Sequence, residues 1–99
     1  MYGTVARIQA KPGVEQALMA QFQEYGAIHV PGFRATYVYR MDSDPNTLYL
    51  AIVFDSKETY RANAESPEQD KRYREMLALL EREPEWHDGE ILGAIVQGS

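Results

Sequence analysis

Apolar residues recur along this chain at two different periods, and the switches between them divide it into six elements. Thr4 to Ala10 reads as a strand of mixed polarity, ended by Lys11-Pro12-Gly13. Val14, Leu18, Phe22, Tyr25 and Ile28 then share one helical face, with Ala17 and Met19 widening the stripe. Pro31-Gly32 cannot continue that helix. Phe33 to Arg40 is aromatic and β-branched, hence a strand. Asp42-Ser43-Asp44-Pro45-Asn46 makes a polar turn, and Thr47 to Phe54 is the most apolar strand. Asp55 and Ser56 offer N-caps for a helix through Tyr60 and Ala64. Ser66-Pro67-Glu68-Gln69 restarts it: Ser66 can cap, Pro67 suits the first helical position and Gln69 would complete a capping box. Tyr73, Met76, Leu77 and Leu80 share a face of this second piece, which Glu83-Pro84 closes. Trp86-His87-Asp88-Gly89 reads as a turn, and Ile91 to Val96 as the last strand.

The order β-α-β-β-α-β, with the second helix broken near Ser66, predicts an α+β fold of ferredoxin-like type with a four-stranded antiparallel sheet. Right-handed crossovers put both helices on one face. By strand parity Ala6, Ile8, Tyr37, Ile52 and Phe54 look toward the helices. Val5, Val38, Tyr49, Ala51 and Val53 look away, and they are apolar too. A sheet with one wet face should alternate apolar with polar. The second apolar face therefore predicts a homodimer built through it.

Length and charge narrow the function. Ninety-nine residues make one domain, 1–99. The net charge of −5 argues against nucleic acid as a partner. The densest basic group, Lys71, Arg72 and Arg74, is interleaved with Glu68, Asp70 and Glu75 at four-residue spacing and reads as a solvated helix face. No uncharged apolar run is long enough to cross a membrane. The start of the chain does not read as a signal peptide, so a cytoplasmic protein is expected. With no cysteine and two histidines far apart in sequence, no metal site is expected. No phosphate-binding glycine loop or nucleophile elbow is present.

Four segments together resemble the antibiotic biosynthesis monooxygenase family. They are Lys11-Pro12-Gly13 before the first helix, Pro31-Gly32-Phe33 before the second strand, Phe54-Asp55-Ser56-Lys57-Glu58-Thr59-Tyr60 entering the second helix, and Ser66-Pro67-Glu68-Gln69. The resemblance implies a dimeric α+β barrel with a ligand cavity in each subunit between sheet and helices. Some members of that family oxygenate quinol-like aromatics without cofactor, some cleave haem, and many have no assigned activity. In the haem-cleaving branch an Asn, a Trp and a haem-ligating His stand where this chain has Ala6, Phe54 and Tyr73, so none of the three is retained.

The expected site is an aromatic-rich cavity lined by Ala6, Phe22, Tyr37, Ile52, Phe54, Tyr60, Tyr73 and Met76, suited to a small flat aromatic ligand. Tyr73, Tyr37 and His29 are the candidate polar contacts, His29 as a base titrating near neutrality. Plain core packing is the competing reading for the aromatics. For His29 the competing reading is a cation placed at a helix C-terminus. The function expected is cofactor-independent monooxygenation of a quinol-like substrate. The alternatives are a non-catalytic binding dimer of the same fold and haem degradation.

Overall fold

In the computed structural model, which describes residues 1–98, one antiparallel sheet carries three helices on one face. The elements are β1 (Tyr2–Gln9), α1 (Glu15–Ala27), β2 (Phe33–Arg40), β3 (Thr47–Phe54), α2 (Lys57–Ala64), α3 (Pro67–Leu77) and β4 (Glu85–Glu90). The strand order is β2-β3-β1-β4. β1 and β3 run side by side at the centre, from Tyr2 opposite Phe54 to Gln9 opposite Thr47.

Each boundary has a local cause. Pro12-Gly13 turns the chain out of β1, with Gly13 at φ +81°. Gly32, at φ +79°, starts β2, and its carbonyl accepts from Asp55 N at 2.8 Å. A Cβ there would also sit 2.4 Å from Thr59, so glycine is required twice over. Ser56 and Thr59 form a reciprocal capping box that starts α2. Ser66 caps α3 by accepting from Gln69 N at 3.1 Å, with Pro67 behind it. Gln69 does not return the bond as a capping box would; its Oε1 accepts from Arg72 Nε instead. Of the three ion pairs that the α3 spacing suggested, only Asp70 with Arg74 forms.

The last strand corrects the sequence reading. The strand is Glu85–Glu90, which contains the Trp86-His87-Asp88-Gly89 segment that the sequence predicts as a turn. Ile91 to Val96 lies beyond it, with Leu92 93% exposed. β4 is polar because it sits at the sheet edge and is held by backbone pairing to β1, from Tyr2 opposite Glu90 to Arg7 opposite Glu85. That pairing asks nothing of apolar side chains. The ladder ends where Ile91 N donates to Met1 O.

β2 brings a second correction. Its pairing with β3 shifts register between Phe33 and Ala35. One extra residue in a strand inverts the facing of everything beyond it. Phe33 still meets Phe54, with ring centroids 5.6 Å apart, but Thr36 and Val38 now pair with the inward Ile52 and Leu50. Tyr37 pairs with Ala51 on the opposite face and is 60% exposed. Tyr37 therefore leaves the helix-covered face and Val38 joins it. The open face carries Val5, Tyr37, Tyr39, Tyr49, Ala51 and Val53.

The core lies toward one end, where Ala6, Ile8, Ala10, Leu48 and Leu50 of the sheet side meet Leu18 of α1, Met76 of α3 and Leu80. Among the described residues, no helix is long and apolar enough to cross a membrane. Ser66→Ala should remove the α3 cap and lower unfolding stability by about 1 kcal/mol, read as a shift in urea midpoint at unchanged slope.

Candidate functional site

At the other end of the sheet the helices stand off it. The space between is a cavity of about 800 Å³. Two cross-strand rows make the floor. Asp88, Thr4, Ile52 and Thr36 align across β4, β1, β3 and β2, as do Trp86, Ala6, Leu50 and Val38. Thr36, Leu50, Ile52, Trp86 and Asp88 reach the cavity itself. The roof comes from α1 through Gln21, Phe22 and Tyr25, from α2 through Tyr60, Arg61 and Asn63, and from α3 through Gln69, Arg72, Tyr73 and Met76.

The site residues expected from sequence divide into three groups. Phe22, Ile52, Tyr60, Tyr73 and Met76 are brought round this one cavity. Ala6 and Phe54 are almost wholly buried beneath it. Phe54 packs edge-on against Phe33 and Tyr60, at 5.6 and 5.5 Å between centroids, which is a core role. Tyr37 and His29 stand away: Tyr37 on the opposite face of the sheet, His29 exposed in the loop after α1. His87, taken for part of a turn, is in β4 and pairs with Val5 of the open face.

Two polar groups occupy different ends of the cavity wall. On the β4 side, Tyr60 Oη donates to Asp88 Oδ1 at 2.9 Å. Burial, followed by the Asp88 carboxylate, pushes the Tyr60 phenol well above its ordinary value. The nearby Thr4 hydroxyl offsets a little of this, but it is buried without a well-formed hydrogen bond. Tyr60 thus stays a donor at any neutral pH, and Asp88 Oδ2 is left free of protein donors among the described residues. On the α1–α3 side, Asn63 Nδ2 donates to Tyr25 Oη at 3.0 Å, and the Arg72 guanidinium lies over the Tyr25 ring at 5.1 Å. Burial raises the Tyr25 pKa against the opposing effects of Asn63 and Arg72, which keeps this phenol protonated too. Trp86 leans on Tyr73 with centroids 6.1 Å apart, adding a flat wall. Among the described residues, no cluster of three His, Cys, Asp or Glu is arranged to hold a metal ion.

Several lining residues escaped the sequence reading. Trp86 and Asp88 were hidden in a segment read as a turn, although their two-residue spacing is that of a strand face. Arg72 was assigned to a solvated face through its spacing from Glu68, a pair that does not form. Tyr25 was recognised only as part of an apolar stripe, and nothing in the sequence distinguishes Gln21 or Asn63.

The comparisons agree with this architecture. The family model for antibiotic biosynthesis monooxygenase matches residues 1–78. A solved structure from Chloroflexus aurantiacus J-10-fl, assigned by its description to the same group, is 28% identical. It covers 98% of both chains with a TM-score of 0.77. SnoaB from Streptomyces nogalater, described as a cofactor-independent oxygenase, is 16% identical over 97% of both chains, with a TM-score of 0.81. A Nitrosomonas europaea protein of unknown function is 20% identical over 99% of this chain and 95% of its own, with a TM-score of 0.75. No curated protein matches the sequence.

The Tyr60 environment has a consequence for stability. Its phenol is raised above the unfolded value of 10.0, so the fold favours the protonated form. The stability this contributes is complete below pH 10 and is lost as pH rises above it. Tyr60→Phe should therefore flatten the alkaline decline of the urea midpoint between pH 9.5 and 11.5 in this protein relative to wild type, by roughly the effect of one titrating group.

Proposed function

The chain belongs to the antibiotic biosynthesis monooxygenase family, and from that premise we propose that it is a cofactor-independent monooxygenase of a small, flat, quinol-like aromatic, working as a homodimer. The observation that carries this reading is the pairing of an aromatic-walled cavity with Asp88, the carboxylate on its sheet side, held in place by the Tyr60 hydroxyl. A planar ligand fits between Trp86 and Tyr73 on one side and Phe22 on the other. Asp88 Oδ2 receives the proton of a substrate hydroxyl, and β4, being an exposed edge, passes it on to water.

The resulting oxyanion is electron-rich and reduces dioxygen without help from a metal or flavin. One electron passes to O₂, the substrate radical and superoxide combine at carbon, and a C–O bond forms. At a ring methylene the peroxide then loses water, so that CH₂ and O₂ become C=O and H₂O. One oxygen atom enters the product and four electrons leave the substrate. The protein supplies orientation, a dry cavity and donors to the anion. Tyr73 and Tyr25, both in the cavity wall, are the proposed donors to it.

Haem fits these residues poorly. Phe54 is committed to the core, and no histidine lines the cavity. No step is assigned to haem.

The dimer is supported by the open sheet face. Val5 is 50% exposed there and Tyr37 60%, beside Tyr39, Tyr49, Ala51 and Val53, with no helix on that side. Leu92, Ile95 and Val96 add further uncovered apolar surface after β4. A second copy closing this face buries on the order of 2,000 Å² in total. Light scattering at micromolar concentration should return twice the chain mass, and Val5→Asp combined with Tyr37→Glu should return the single mass.

Oxygen uptake by the metal-stripped protein with 1,4-dihydroxynaphthalene or anthrone tests the chemistry. Uptake above the uncatalysed rate is expected, and Asp88→Asn should lower it by about 100-fold or more with the fold intact. Saturable binding with no uptake for any quinol would make the protein a binding dimer instead.

A further inference from the structure

Four of the seven arginines in this chain face a carboxylate: Arg7 with Glu85, Arg34 with Asp55, Arg40 with Glu15, and Arg74 with Asp70. Arg61 and Arg72 do not, and both line the cavity, Arg61 exposed and Arg72 half-buried. The orientation of Arg72 is nonetheless set from two sides. Its plane lies over the Tyr25 ring at 5.1 Å, and its Nε donates to Gln69 Oε1 at 3.3 Å. Neither acid at helical spacing from it, Glu68 or Glu75, forms an ion pair with it among the described residues, and Asp70 is taken by Arg74. The two terminal nitrogens of Arg72, with four N–H donors, are left without a protein acceptor among the described residues.

A second unmet group stands beside it. Gln21 Nε2 donates to Glu75 O at 3.3 Å, which fixes the amide orientation and turns Oε1 away. That Oε1 is buried and has no partner. Gln21 and Tyr25 are one turn apart on α1, as Glu75 and Arg72 are on α3, so this amide ties α1 to α3 beside the Tyr25–Arg72 pair.

We propose that Arg72 is the anion-recognising group of this cavity and selects an aromatic carboxylate as ligand. This deepens the monooxygenase reading by naming its substrate class, and it rests on that reading only for the identity of the site. The planar guanidinium fork matches the two oxygens of a carboxylate, and stacking on Tyr25 reduces the freedom lost on binding. A carboxylate held there lies at the roof, away from Asp88 on β4, so the like charges of ligand and base are separated.

Calorimetric titration with 2-naphthoate and its neutral isostere 2-naphthamide tests the proposal without requiring turnover. The wild-type protein should bind 2-naphthoate roughly tenfold or more tightly than 2-naphthamide, as charged hydrogen bonds dictate. Arg72→Met should abolish that preference while leaving 2-naphthamide binding unchanged. Arg72→Lys should retain part of it, and the exposed Arg82→Met should retain all of it. Equal affinity for the two probes, no saturable binding of 2-naphthoate, or parallel loss of both probes in Arg72→Met would overturn the proposal. Should Arg72→Met fail to fold, a normal preference in Arg72→Lys with its salt dependence unchanged would overturn it equally. A persisting preference in a protein that consumes no oxygen would sink the catalytic reading alone.

Discussion

The ladder between β1 and β3 is the constraint from which the rest of this molecule follows. It runs without a break from Tyr2 and Phe54 to Gln9 and Thr47. The strands approach so closely at one point that a Cβ on Gly3 would lie 1.8 Å from the Ile52 carbonyl oxygen. Because side chains alternate across a pleated strand, this one register decides that Thr4, Ala6, Ile8, Leu48, Leu50, Ile52 and Phe54 all look toward the helices. It also sends Val5, Tyr49, Ala51 and Val53 the other way. Helix burial, the cavity floor and the open face are each fixed by that parity.

The outer strands attach to this centre by different means, and each leaves a mark on function. β2 carries a bulge that lets Phe33 remain stacked between Phe54 and Tyr25 while the remainder of the strand reverses its facing. The reversal moves two tyrosines, Tyr37 and Tyr39, onto the face without helices. β4 is paired to β1 through its backbone, and its side chains add the Arg7–Glu85 ion pair, the Tyr60–Asp88 hydrogen bond and the Trp86–Tyr73 contact. It places Trp86 and Asp88 at the cavity and His87 on the opposite face.

The polar residues of the roof are tied mainly to one another. Gln21 reaches Glu75, and Tyr25 takes a bond from Asn63 and carries Arg72, while Tyr60 reaches the sheet at Asp88 and packs on Phe54. Long polar side chains engaged with each other hold the helices off the sheet. At the opposite end Leu18, Met76 and Leu80 are small or flexible enough to close on it. The same chain therefore makes a packed core at one end and a lined space at the other.

By itself the sequence determined the element order, the break at Ser66 with its cap, the inward and outward faces of β3, and a cap for the second helix at Asp55 or Ser56. These depend on local chemistry: hydrophobic period, hydroxyls before a helix, and Pro and Gly at the joints. The resemblance carried by Pro31-Gly32-Phe33 and the Phe54–Tyr60 segment is of this local kind as well. Only the tertiary structure decided the facing of β2, since a one-residue bulge leaves no trace in a periodic pattern and yet exchanges Tyr37 for Val38. It alone decided that the polar Glu85–Glu90 segment, and not the apolar run after it, completes the sheet. An edge strand is stabilised by main-chain bonds that composition does not encode. It also decided which polar residues share the cavity, because Gln21, Tyr25, Asn63, Arg72 and Asp88 come from four separate elements, and only folding brings them within reach of one ligand.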